Sequence, residues 1–209
     1  MIEGIVWLAD LDGGASGIVF ARGISPEELA VRMGAAPDGP VETGTEDEVF
    51  GLLVAWYRPG GHRDGLVRVG ESAGWAFAAE YGDSRGAARL AEMSRGGVEA
   101  VRYEPDGDDA PEPPAVHYAR DGEVLCGYGL SAEHRRWGPR RNLLVPELVA
   151  AGILGPGGRT YLPPEDGRPR TAYRRSLGVL ERRFGLSLPP HCLRDARLPA
   201  HLLRTPVSG

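Results

Sequence analysis

The sequence has no lysine and no glutamine, and Asn142 is its only asparagine. All 24 basic residues are therefore arginine. Beside 31 glycines and 18 prolines, this is the composition that a GC-rich genome imposes through its codons, so abundant arginine is not in itself a sign of phosphate binding. The glycine-rich stretches DGGASG (12–17) and GPGG (155–158) lack the GK[ST] ending of a P-loop and are read as turns. Cysteine is scarce as well. Cys126 and Cys192 lie far apart, which excludes a disulfide framework and offers no zinc-type spacing. No apolar run approaches the roughly 20 residues needed to cross a bilayer. The best one, residues 143–154, is broken by Pro146 and Glu147. The opening MIEGIVWLADLDGG has neither a basic n-region nor a long apolar h-region, so no signal peptide and a cytoplasmic location are expected. No internal repeat is present.

What remains is ordinary for a globular chain: 209 residues, 42% hydrophobic and 25% charged. The net charge of −5 is unevenly spread. Residues 1–110 carry 9 arginines and 20 acids, a balance of −11, and residues 111–209 carry 15 arginines and 9 acids, a balance of +6. The two halves could attract each other within the fold, or the basic half could face an acidic partner. A net acidic chain argues against a nucleic-acid binder.

Local patterns give the elements. Residues 4–10 are apolar but ambiguous, and SGIVFAR (16–22) reads as a strand. Ser25, Pro26 and Glu28 open a helix with a capping box, and Gly34 sits where a C-cap glycine belongs. Thr45 and Glu48 form a second box before a helix over 46–56. Segments 66–72 and 75–81 flank Ala73-Gly74 as a hairpin. In the second of these strands Trp75, Phe77, Ala79 and Tyr81 share one face and Ala76, Ala78 and Glu80 the other. Both faces are largely apolar, so this strand is expected to be central and covered on both sides. Glu80 is then a buried polar candidate in need of a partner such as an arginine.

A short helix over 86–94 and a strand over 98–103 follow. Residues 104–114 read as an acidic, proline-rich loop. Asp121-Gly122 suits the type I′ turn of a further hairpin. A basic loop and a helix over 145–154 complete a domain spanning 1–154. Residues 155–170 read as a Pro/Gly-rich linker, and 171–209 as a C-terminal helical appendage with an amphipathic helix over 171–184. The fold class expected is α+β, with a central antiparallel β-sheet of about five to six strands packed with helices.

Gly82-Asp83-Ser84-Arg85-Gly86 matches G-x-S-x-G, the nucleophile elbow of α/β-hydrolases, with a strand before it and a helix after it. Asp121 or Asp195 with His134, His191 or His201 could complete a triad around Ser84. Against this, the preceding strand looks hairpin-paired, no HGGG-like segment lies upstream, and the chain has few βα units. Glycines that turn the chain and an Asp83 or Ser84 helix cap explain the motif equally. His191 and Cys192 are adjacent, His201 lies nine residues on, and His62, His117 and His134 are isolated. None has metal-site spacing, so neither a metal nor a cofactor is implied. Acidic clusters 46–48 and 108–109 belong to a helix start and a loop. The segment HRRWGPRR (134–141) sets Arg135, Arg136, Arg140 and Arg141 around Trp137, a common recognition surface. Alternatively Trp137 packs on the core and these arginines pair with the acidic half.

Five segments taken together resemble a family of uncharacterised actinobacterial proteins, defined only as a domain of unknown function. They are GISPEELAVRMG (23–34), GWAFAAE (74–80), AARLAEMSRGG (87–97), VHYARDGEV (116–124) and RRWGPRRNLLVPELVAAGIL (135–154). The likeness covers roughly residues 4–154 and implies no activity, cofactor or catalytic residue. Locally, LGVLERRFGLSLPPHCL (177–193) resembles the opening helix of a family of immunity proteins. The function expected is a non-enzymatic interaction or regulatory protein with a protein partner, an immunity-like factor in its narrower form. A serine hydrolase using Ser84 and a small-molecule-binding sensor are the alternatives.

Overall fold

The structure is a computed structural model that describes residues 4–11, 14–36, 39–56, 65–82, 85–105 and 113–203. Among the described residues, nine strands form a single antiparallel sheet. They are β1 (Gly17–Arg22), β2 (Glu42–Gly44), β3 (Gly65–Ser72), β4 (Trp75–Tyr81), β5 (Glu99–Glu104), β6 (Ala115–Arg120), β7 (Glu123–Gly129), β8 (Arg136–Trp137) and β9 (Leu198–Leu203). Their order is β2-β9-β3-β4-β1-β5-β6-β7-β8. The helices that accompany the sheet among the described residues are α1 (Pro26–Met33), α2 (Glu46–Trp56), α3 (Gly86–Met93), α4 (Val145–Ala150), α5 (Pro169–Phe184) and α6 (Pro190–Arg194). The ambiguous residues at the start form a 3₁₀-helix, Val6–Asp10. No helix among the described residues is long and apolar enough to cross a membrane.

Most local signals act as the sequence suggests, but at Ser25 only half of the capping box forms, because the Glu28 carboxylate accepts from Arg32. Ser25 accepts the Glu28 N–H, and Gly34 closes α1 at φ 105°. Thr45 and Glu48 exchange reciprocal bonds, Thr45 N–H to Glu48 Oε2 at 2.9 Å and Glu48 N–H to Thr45 Oγ1 at 3.4 Å. Ala73 and Gly74 (φ 50° and 76°) and Asp121 and Gly122 (φ 51° and 85°) both take the double positive φ of a type I′ turn. β4 is buried along its whole length. Its Trp75, Phe77, Ala79 and Tyr81 join one core layer with α4, α5 and the 3₁₀-helix. Its Ala76 and Ala78 join a second layer under α1 and α3.

The sheet is larger than the five to six strands expected. The additions are β2, β8 and β9. β2 and β8 have three and two residues, too few for any periodicity to register. β9 reads LPAHLL, with a proline and a histidine inside it. Pro199 lacks a donor, and it is tolerated because it pairs only with Thr43 of β2, while β3 pairs with β9 from Ala200 onward. So residues 198–203, expected within a helical appendage, instead supply a strand inside the sheet between β2 and β3.

Arg68 of β3 anchors that C-terminal segment. Its guanidinium is fully buried and donates to the carbonyls of Leu193 (2.7 Å), Ala196 (2.8 Å) and Gly44 (3.0 Å), and to the Tyr81 hydroxyl (3.2 Å). Tyr81 in turn donates to Glu46 Oε1 at 3.0 Å. One side chain thus satisfies carbonyls from α6, from the segment just after it and from the end of β2. Arg68→Met keeps the length and removes every donor. Its expected cost is about 3 kcal/mol or more, because several buried carbonyls lose their partner at once. Urea denaturation measures it, and a loss below about 0.5 kcal/mol would show that these bonds are energetically idle.

Candidate functional site

Two places hold side chains that the sequence singles out, and a third emerges only from the structure. The first is the start of α3. Glu80 is fully buried, and Arg102 of β5, also fully buried, donates to Glu80 Oε2 at 3.2 Å. The expected arginine partner is therefore present. Glu80 Oε1 also accepts the N–H groups of Arg85 (2.9 Å) and Gly86 (2.6 Å), so the carboxylate closes the N-terminus of α3. Arg102 reaches on to Glu104 Oε2 at 2.5 Å.

Ser84 and Asp83 lie outside the described residues. Their surroundings bear on the elbow all the same. β4 runs antiparallel to both β1 and β3, whereas a nucleophile elbow follows a strand of a parallel sheet. In an elbow the amide after the nucleophile, here that of Arg85, serves the oxyanion. That amide is already bonded to a carboxylate, whose negative charge would repel one. Of the triad candidates, Asp121 sits in the β6–β7 turn and accepts the Gly97 N–H at 3.0 Å. His134 is exposed against the Tyr161 ring, and His201 is buried in β9. Any hydrolysis of generic nitrophenyl esters by the purified protein is expected to be the same in Ser84→Ala; a loss specific to that variant would restore the elbow reading.

The second place is the basic loop. β8 pairs with β7 at the free edge of the sheet, Trp137 opposite Gly127 and Arg136 opposite Tyr128. The indole lies directly over Gly127, where an added Cβ would come within 2.5 Å of Trp137 Nε1. It also packs on the His117 ring at 5.5 Å between centroids. Burial, then the Arg102 charge, pulls the His117 pKa below the ordinary imidazole value, which favours a neutral ring under the indole. Gly138 follows at φ 96°, and a Cβ there would meet the Leu125 carbonyl oxygen at 2.5 Å. The Arg140 N–H donates to that carbonyl at 2.8 Å. Glycine is thus required for the loop to close onto β7.

The four arginines divide into two kinds. Arg136 is structural: it donates to the carbonyls of Glu133 (2.7 Å) and Gly158 (2.9 Å) and to Asn142 Oδ1 (3.3 Å). Arg135, Arg140 and Arg141 are exposed, and none has an ion-pair partner among the described residues. Trp137 remains 41% exposed between them. The acidic and basic parts of the chain do meet elsewhere, through Arg174–Asp10 (2.7 Å) and Arg197–Glu48 (2.7 Å). The alternative in which the loop arginines pair with the acidic half therefore holds for other arginines and not for these three. An open concavity of about 580 Å³ runs along Gly138–Leu143.

The third place was not legible in the sequence. Glu133, just before the basic loop, is fully buried. Its Oε1 accepts the Ser131 N–H at 3.1 Å and the Ser176 hydroxyl of α5. Its Oε2 has no partner among the described residues, and neither has the buried Tyr128 hydroxyl. Burial pushes the Glu133 pKa up, opposed by the Ser176 and Ser131 bonds and by the Arg175 charge. Surrounded by polar neighbours in sequence, Glu133 gives no sign of burial; only its contact with α5 reveals it.

Other candidates stay dispersed. Cys126 is buried, and burial pushes its thiol up to about 11, away from nucleophilic use. Cys192 Sγ is 3.5 Å from His191 Nε2 on the short α6. Among the described residues no three His, Cys, Asp or Glu side chains are grouped to hold a metal ion. Where β6 and β7 meet α5 and the start of α4, the space bounded by His117, Cys126, Tyr128, Leu144 and Leu180 has no room for a water molecule. Comparison with protein-family models, curated proteins and solved structures finds no match to this chain.

Glu133 generates a pH prediction. Its folded pKa lies above the ordinary carboxylate value, so the unfolded chain releases this proton first as pH rises. The folded state then loses stability from the ordinary carboxylate range up through the raised pKa. Glu133→Gln keeps the shape and the acceptor for Ser176. It is expected to match the wild type in acid and to exceed its denaturation midpoint at neutral pH. Equal stability at both pH values would mean that the buried carboxyl ionises freely.

Proposed function

We propose that this chain is a non-enzymatic interaction or regulatory protein, and that it engages a protein partner through the loop from Arg135 to Arg141. The observation that carries this reading is the combination on that loop. Arg135, Arg140 and Arg141 are exposed without counter-ions among the described residues, beside an exposed Trp137 braced by Gly127 and His117. An aromatic anchor with arginines around it is the side-chain mixture that dominates protein-binding energetics. The bracing matters because an anchor already held in place loses less entropy on binding.

Catalytic readings find less support. The amide that would serve an oxyanion is bonded to Glu80, and Cys126 is a buried, neutral thiol. The sensor reading has the closed gap between β6–β7 and α4–α5 against it. An immunity-like role is the narrower form of the proposal, in which the partner is an activity to be neutralised.

A photo-reactive phenylalanine analogue at position 137 tests the reading in the cell that makes this protein. A discrete adduct is expected from position 137, absent when the analogue replaces exposed Val31 on α1, and lost on adding R135E, R140E and R141E. Equal labelling from both positions, or labelling indifferent to the arginines, would contradict it.

A further inference from the structure

We infer that the partner segment taken by this loop is an acidic stretch of polypeptide, lying across Trp137 with its carboxylates on Arg135, Arg140 and Arg141. This rests on the interaction reading above and adds the chemistry of what is bound. The argument begins with charge. Several arginines of this protein are matched by a carboxylate: the half-buried Arg32 pairs with Glu28 and Arg89 with Glu92, and the exposed Arg174 pairs with Asp10 and Arg197 with Glu48, while the exposed Arg95, Arg159 and Arg182 have no ion pair among the described residues. The three loop arginines have none either among the described residues, and they differ from the others in being clustered on one seven-residue loop of a chain that is acidic as a whole. Three uncompensated cations within seven residues leave a local positive potential that favours an anionic ligand.

Geometry then narrows the ligand. Gly138 at φ 96° and the Arg140 N–H bond to Leu125 hold the loop against β7, so the cations project from a fixed base. The open concavity along Gly138–Leu143 lies next to Trp137 and is lined mostly by polar surface. Arginine forks bind carboxylates in bidentate fashion, and an indole face gives apolar side chains of the same segment a platform. His117 beneath the indole is biased toward its neutral form, so the positive charge is confined to the arginines.

The rest of the molecule argues against a long polyanion. A nucleic acid would track phosphates over a continuous basic surface. Here residues 1–110 carry a balance of −11, and their Glu104 is half exposed on the same sheet face as His117 and Trp137. A short acidic segment can occupy the loop alone.

The test uses the full chain and a short fluorescein-labelled poly-glutamate peptide, read by anisotropy. Saturable binding is expected, weakening as salt rises from about 0.05 to 0.5 M. R135E/R140E/R141E should weaken it by about tenfold or more, and Trp137→Ala by a smaller factor. R135K/R140K/R141K should recover part of the loss, and R182E, which reverses an exposed charge on α5, should change nothing. All substituted residues are on the surface, and an unchanged melting temperature confirms folding. Poly-glutamate that fails to bind, or binds the triple variant as well as the wild type, overturns the inference. Tighter binding of an oligothymidylate to the same arginines overturns it in favour of a nucleic acid. If the position-137 adduct forms while poly-glutamate fails, the partner is real and its chemistry is not acidic, so the two readings fail separately.

Discussion

Everything proposed for this protein depends on one close approach, that of the segment Trp137-Gly138 to β7. Gly127 leaves the surface on which the indole lies, and Gly138 lets the backbone come against the Leu125 carbonyl. A side chain at either position would push the segment away. With both glycines present, a two-residue strand is enough to fasten the loop to the sheet edge, and Arg136 is used up in tying it to Glu133, Asn142 and Gly158. The remaining three arginines are exposed, with no ion-pair partner among the described residues.

The sheet that carries this loop solves a different problem, the burial of charge. Glu80 and Arg102 are placed between sheet and α3, and each compensates the other while Glu80 also serves the helix start. Arg68 is compensated by carbonyls, which gives it little ion-pair character and many hydrogen bonds. Buried ionic groups of this kind do not necessarily stabilise a fold relative to apolar replacements, but they penalise any arrangement that leaves them unpaired. Here that penalty fixes α3 on the sheet and holds the C-terminal segment beside β3. The strand β9 then fills the gap between β2 and β3 and makes residues 198–203 part of the main body's sheet.

Much of this frame was legible in the residues. The N-cap at Ser25, the capping box at Thr45, the two-residue turn at Ala73-Gly74, the type I′ turn at Asp121-Gly122 and the doubly apolar β4 all follow from short-range chemistry, and all are present. Glu80's need for an arginine could also be read, since a carboxylate inside an apolar strand must be compensated. That it would be Arg102 depended on register: Val19 of β1 lies opposite both Ala78 and Arg102, which brings Glu80 and Arg102 to one sheet face. Arg68 carried a similar signal, a charge between Val67 and Val69, but its partners are mostly backbone carbonyls, two of them more than a hundred residues away, and leave no trace in sequence. β9 was hidden by Pro199 and His201. Glu133 was hidden among polar neighbours, and its burial depends on where α5 packs.

The central claim is that the loop offers its arginines and its indole to an acidic partner. It is tested most directly by mapping backbone and indole amide resonances while a poly-glutamate peptide is added. The account predicts shifts centred on residues 135–143, the Trp137 indole and Gly127 beneath it, with the rest of the sheet unchanged. Shifts centred elsewhere, on α5 or around the start of α3, would contradict it.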